Sequence, residues 1–265
     1  MTEWWWAYLA LGAFVGFFSG LLGIGGGAAM VPMLAFIFAA KHYPPAAVVH
    51  LALGTGIATM VFTAASSARS HHRHGAVNWT IMFRMAPGII VGTFCGALLA
   101  GILDVRVLSV LFTALIYYLA TQMLLDRKPA PGRAMPGPLG VTLAAGAIGV
   151  ISSLTATGGA ALVVAFLVRR EVRIHEAIGT AAAISWPLAV AGAAGYILSG
   201  LSIPDLPQYS IGYVYLPALA AIAVASMLLA PVGARLAHRT PGRRLKKIFA
   251  LVLFGLATCM LVRFF

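Results

Sequence analysis

Carboxylates are almost missing from this chain: Glu3, Asp104, Asp126, Glu171, Glu176 and Asp205 are the six among 265 residues. All fall at or near the ends of apolar segments, so none is placed to serve a cation path or a carboxylate proton relay inside a membrane. Charge of either sign is scarce, at 9% against 61% hydrophobic residues, and a soluble fold of this length is excluded because too little polar surface remains to cover it. Cysteine is scarcer still. Cys95 and Cys259 sit inside apolar runs, which excludes a disulfide frame and a thiolate metal site. No basic stretch precedes the first apolar run, which opens on Trp4, Trp5 and Trp6. That start predicts an uncleaved membrane segment with an aromatic interface anchor rather than a signal peptide. No nucleophile with a base and no carboxylate pair is present to equip an intramembrane enzyme.

What charge there is, is basic. The net charge of +12 is spread over short runs between apolar segments, the loop bias of a membrane protein and not the basic face of a nucleic-acid binder. His71, His72 and His74 surround Arg73 without a nearby cysteine or carboxylate, and read as a basic turn rather than a metal site. His50 is the one histidine well inside an apolar segment and reads as a packed core residue.

Apolar stretches run from about 4 to 40, 46 to 68, 79 to 103, 106 to 125, 139 to 168, 177 to 203, 211 to 234 and 245 to 264. Six suit single crossings, since about 20 residues span a hydrocarbon core of ~30 Å. As single helices the first and fifth would reach roughly 55 and 45 Å, so each predicts two helices joined at a break. Were each overlong run to cross once, basic residues would divide 11 to 7 between the two faces. With each run a hairpin, 15 gather on the cytoplasmic side and only Lys41, Arg106 and Arg263 stay outside. The hairpin arrangement also gives each half five elements, which sets the halves in opposite orientations. The fold expected is an all-α polytopic membrane protein of two inverted repeats, each a broken or hairpin first element plus three transmembrane helices. Residues 1–125 form the first repeat, 126–138 a cytoplasmic linker rich in charge, Pro and Gly, and 139–265 the second.

Both overlong runs are interrupted by glycine. SGLLGIGGGAAMVPML at 19–34 returns in poorer form as SSLTATGGAALVVAFL at 152–167, with seven identical positions at an offset of 133. Gly54–Thr55 matches Gly179–Thr180, Pro87 matches Pro217, and Leu108, Phe112 and Met123 match Leu245, Phe249 and Met260. Gly25, Gly26 and Gly27 precede one short helix, and Gly158 and Gly159 precede its counterpart. The first N–H groups of each such helix lack an internal partner and carry about half a positive charge, an arrangement that attracts an anion. Ser19, Ser152, Ser153, Thr155 and Thr157 supply hydroxyls beside the breaks, and Thr55 and Thr180 add two at repeat-related positions. These twelve residues are the candidate substrate-binding set, with no catalytic residue, metal ligand or cofactor among them.

SGLLGIGGG with its following VP, the LGT at 53–55, the Arg-rich turn before GAVNW at 75–79, and IGTAAAISWP at 178–187 together resemble the TauE/SafE sulfite exporter family, the toluene sulfonate uptake permease group. The similarity runs over nearly the whole chain, with TATGG standing where a full glycine run would be in the second motif. The resemblance implies a multi-pass transporter of the bacterial inner membrane for small sulfur-containing or organic anions such as sulfite, sulfoacetate or related sulfonates. Its partners would be the small anion, the lipid bilayer and, for an oligomer, further copies of the chain, with no nucleic acid. Export fits the physics, since each negative charge gains roughly 2.3 kcal/mol per 100 mV moving outward. An anion channel is the nearest alternative, with a metal-cation transporter or an intramembrane enzyme further off.

The orientation has a direct check. In a background lacking Cys95 and Cys259, Ser70→Cys and Val172→Cys should both react with a membrane-impermeant thiol reagent only from the cytoplasm. Labelling of the two from opposite faces would overturn the hairpin assignment.

Overall fold

In the computed structural model, which describes residues 4–22, 27–125, 134–237 and 242–264, both overlong runs double back. The first divides into α1 (Trp5–Leu22) and α2 (Gly27–Ala40), and the second into α6 (Pro138–Thr155) and α7 (Ala160–Val168). Lys41, just past α2, returns to Tyr8 near the start of α1, with Nζ 3.4 Å from the phenol oxygen. Arg170, just past α7, donates to the Ala134 carbonyl ahead of α6 at 2.9 Å. The remaining helices are α3 (Pro45–Arg73), α4 (Trp79–Ile102), α5 (Val105–Leu125), α8 (Ile174–Gly200), α9 (Leu216–Ala237) and α10 (Gly242–Phe264). Among the described residues, five helices lie before residue 126 and five after residue 133.

Helices are what these runs must form, because a backbone inside lipid has to satisfy its own N–H and C=O groups. Of the described helices, α3, α4, α5, α6 and α8 are long and apolar enough to cross a membrane. The chain is a polytopic, almost entirely helical membrane protein, and Phe83, Val91, Leu143, Leu228 and Leu251 on its outer surface face lipid. Starts are marked by Pro45 and Pro138 in the first turn and by Asn78, whose side chain accepts from Ile81 N at 3.0 Å. α3 runs past the apolar stretch through His71 and His72 because each added residue gains a backbone bond until Gly75, at φ 67°, ends the helical path.

One departure from the expected all-helical pattern lies at 210–215. Ser210–Ile211 and Val214–Tyr215 pair as two short antiparallel strands, β1 and β2, so the segment expected from 211 yields its first residues to a hairpin. The cause is contact with α8: Tyr213 N donates to Tyr196 O at 3.2 Å, and a side chain at Gly212 would collide with the Ile197 carbonyl. The pairing of Pro87 with Pro217 also fails. Pro87 lies eight residues into α4, whereas Pro217 is the second residue of α9, so the two differ in position and in effect on their helices.

Two helix pairs make the closest seams, α1 with α9 and α4 with α6, and α3 and α8 cross through the middle. Glycine makes the seams. Side chains at Gly12 and Gly16 would strike the α9 backbone at Ile222 and Ser226, and side chains at Gly88 and Gly92 would strike the α6 backbone at Thr142 and Gly146. Small residues let membrane helices approach until dispersion and weak backbone contacts hold them, since lipid provides no hydrophobic drive between them. The elements bring Arg69, Arg73, Arg84, Arg169, Arg170 and Arg173 toward one end of the bundle, where Asn78 Nδ2 donates to Glu176 Oε1 at 2.6 Å. The opposite end gathers Tyr8, Lys41, Tyr43, Tyr213 and Tyr215. No carboxylate is buried among the described residues.

Gly92→Ala tests the seam. Its methyl group has no space against α6, so thermal unfolding in detergent should show a loss of about 1–3 kcal/mol, the usual cost of overpacking. An unchanged melting temperature would mean that α4 and α6 are not held at this distance.

Candidate functional site

At the second break the chain leaves α6 through Ala156 at φ 45° and turns through Gly158 at 72° and Gly159 at 66° before α7 begins. Three left-handed residues in four reverse the path so tightly that glycine is needed where backbone meets side chain. A Cβ at Gly159 would stand 2.8 Å from both Ser152 Oγ and Leu188 Cδ1. No side chain caps α7, so its first N–H groups rely on whatever lies in front of them. With nine residues at ~1.5 Å each, α7 carries this uncapped end about 13 Å in from the Arg169 loop, near half the depth of a bilayer core.

Hydroxyls surround that end. Ser152, Ser153, Thr155 and Thr157 are all buried. Thr155 Oγ1 lies 2.9 Å from Ile151 O and 3.2 Å from Thr157 Oγ1, and Ser153 Oγ donates to Val150 O of its own helix at 2.8 Å. Ser152 Oγ is fully enclosed yet has no hydrogen-bond partner among the described residues, a rare state for a buried hydroxyl and one that calls for an explanation. Ser185 of α8 lies 2.9 Å from both the Gly158 and the Ala181 carbonyl oxygens, so its one proton steadies the break from outside. Tyr196 donates to Ser153 O at 2.9 Å and fixes the last turn of α6.

The two breaks touch. A side chain at Gly27, the first residue of α2, would collide with the Ala156 carbonyl and with Met60 Cε, and the position of a Cβ at Gly158 is 3.2 Å from Met60 Sδ. Met60 of α3 therefore lies against both the start of α2 and the turn before α7. Residues distant in sequence, Gly27 with Ser152, Thr155, Thr157, Gly158 and Gly159, form one buried cluster. Ser19 is half-buried on α1, and Gly25 and Gly26 lie outside the described residues.

Thr55 and Thr180 are engaged elsewhere, as a matched pair of clips. Thr55 Oγ1 accepts from Tyr215 N at 3.0 Å, just ahead of α9, and Thr180 Oγ1 accepts from Asn78 N at 2.9 Å, just ahead of α4. The adjacent glycines permit the approach, Gly54 against the Tyr213 carbonyl and Gly179 against the Ala76 carbonyl. Each central helix thus holds the start of a helix from the other half of the chain. Ser185, Met60 and Tyr196 carry no signal of their own in sequence, although Ser185 falls within the IGTAAAISWP block.

A family model described as Sulfite exporter TauE/SafE matches residues 8–260. A "Probable membrane transporter protein" of Haemophilus influenzae is 36% identical over 256 residues, which cover 96% of this chain and 97% of that protein. "Probable membrane transporter protein YdhB" of Bacillus subtilis is 29% identical over 86% of this chain and 88% of its own length. "Probable membrane transporter protein MJ0441" of Methanocaldococcus jannaschii is 22% identical over 96% and 94% respectively. No solved structure matches the chain.

The clip role is open to test through stability. Thr180→Val keeps the shape but removes the acceptor for the half-buried Asn78 N, and losing such a hydrogen bond costs about 0.5–1.5 kcal/mol. A melt in detergent should show that loss, and an unaltered melt would remove Thr180 from the scaffold.

Proposed function

The chain belongs to the Sulfite exporter TauE/SafE family, and from that premise we propose that it exports small sulfur-containing or organic anions across the bacterial inner membrane. It is a membrane transporter and not an enzyme. The cargo is sulfite, sulfoacetate or a related sulfonate, held at mid-depth between the two glycine breaks.

The observation that carries this reading is the unpartnered Ser152 hydroxyl beside the uncapped start of α7. A bound oxyanion would accept from Ser152, from the first N–H groups of α7 and from Thr157, and would meet the partial positive charge of the helix end. The absence of buried carboxylates among the described residues leaves that potential unopposed. Membrane potential alone then drives the anion outward, at roughly 2.3 kcal/mol per charge per 100 mV.

The reading includes two inverted halves, 1–125 and 139–265. It draws support from the exchange of contacts: α1 packs on α9 and α4 on α6, while Thr55 holds Tyr215 and Thr180 holds Asn78. An inverted pair rocking about α3 and α8 would expose the contact between the breaks to each side in turn.

Reconstituted into liposomes, the protein should pass sulfite or small sulfonates with saturable flux and counterflow, the behaviour of a carrier. Gly159→Val should abolish that flux, and Thr155→Ala with Thr157→Ala should weaken binding by roughly one to two powers of ten without changing the preference for anions. Non-saturating flux would favour a channel. Movement of a metal cation, or indifference to every sulfur oxyanion and carboxylate offered, would contradict the proposal.

A further inference from the structure

Three basic residues, Lys41, Arg106 and Arg263, lie at the opposite end of the bundle from Arg69, Arg73, Arg84, Arg169, Arg170 and Arg173. All three line cavities at the tyrosine-rich end. Arg106 and Arg263 border one of about 570 Å³ together with Asp104, His50 and Tyr213. Lys41 borders another of about 280 Å³, walled by Trp4, Tyr43, Gln208, Tyr209 and Tyr215.

The surroundings of Lys41 are unusual for a half-buried cation. Its ammonium lies 3.1 Å from the Tyr215 phenol oxygen and 3.4 Å from that of Tyr8. It also stands 4.9 Å from the ring centres of Tyr43 and Tyr215. Aromatic faces and phenol oxygens hold the group in place but carry no formal charge, and among the described residues no carboxylate pairs with it. Two of the three N–H donors are matched by phenols, which leaves one donor for whatever fills the cavity. Burial and the neighbouring Tyr215 keep the Tyr43 phenol well above its usual range, so it remains neutral and does not supply the missing negative charge.

We propose that this cavity is a second anion site, at the outer mouth of the protein, for a small organic oxyanion with an apolar or aromatic body. The headgroup, a sulfonate or carboxylate, meets the Lys41 ammonium and the Gln208 amide, while Trp4 and Tyr209 pack against the body. The size agrees with the chemistry: 280 Å³ holds a molecule of a few carbons plus its headgroup, and not a peptide or a lipid. The placement deepens the proposed function, resting on it for the outward direction and for an anionic cargo: Lys41 would receive the anion as it leaves the central site.

Calorimetry on the purified full chain with benzenesulfonate, and with benzyltrimethylammonium as a cation of similar shape, tests the site apart from transport. Benzenesulfonate should bind and the cation should not. Lys41→Met should weaken that binding at least tenfold, while Lys41→Arg should stay within about threefold of the unaltered protein because it restores the charge. Gln208→Leu, which leaves the Lys41 contacts in place, should lower affinity several-fold. Lys41-dependent binding in a protein that shows no anion flux would uphold this site while sinking the transport reading. Binding unaffected by both Lys41→Met and Gln208→Leu, or a preference for the cation, would overturn it whatever the flux.

Discussion

A helix broken inside a membrane leaves backbone N–H groups facing a region without water, and the rest of this structure answers that constraint. An unsatisfied backbone group costs several kcal/mol in hydrocarbon, so a break persists only where protein or ligand completes it. Here the second break is completed on the carbonyl side by Ser185, which reaches Gly158 O, and by Tyr196, which holds Ser153 O. On the amide side no described side chain caps α7, and the Ser152 hydroxyl beside Gly159 has no partner among the described residues. The imbalance is chemical: acceptors are served, donors are left over. Leftover donors at a helix start favour a negative ligand.

Holding two breaks together requires a stiff frame, and lipid gives that frame no hydrophobic drive. The glycine seams of α1 on α9 and α4 on α6 replace it with close backbone contact, and the hydroxyls of Thr55 and Thr180 tie each central helix to the start of a helix across the bundle. Both devices use residues too small to pack by bulk. Their value lies in how near they let two backbones come.

Much of this frame is legible in the sequence because its causes are local or countable. The hairpins follow from run length and from a division of basic residues that only doubling back makes asymmetric, and α1 with α2 and α6 with α7 do double back. The glycine at the second break was marked by its neighbours and lies at the turn itself. Other parts depend on which surfaces meet. Thr55 and Thr180 stood out by position, but their partners, Tyr215 and Asn78, lie 160 and 102 residues away in sequence and are set by how the two halves pack. Met60 is one apolar residue in an apolar helix and gave no sign that it lies against both breaks. The Lys41 nest needs Tyr8, Tyr43 and Tyr215 at one end of the bundle, and no spacing rule links them. Pro87 and Pro217 looked paired only because proline is a conspicuous residue.

The proposed transport rests on one anion shared by the two breaks. Met60 stands at their contact, so the rate at which a thiol there is alkylated reports occupancy directly. In Met60→Cys protein lacking Cys95 and Cys259, saturating sulfite or a small sulfonate should slow alkylation severalfold, and a cation of equal size should not. An alkylation rate indifferent to every transported oxyanion would show that the substrate does not pass between the breaks.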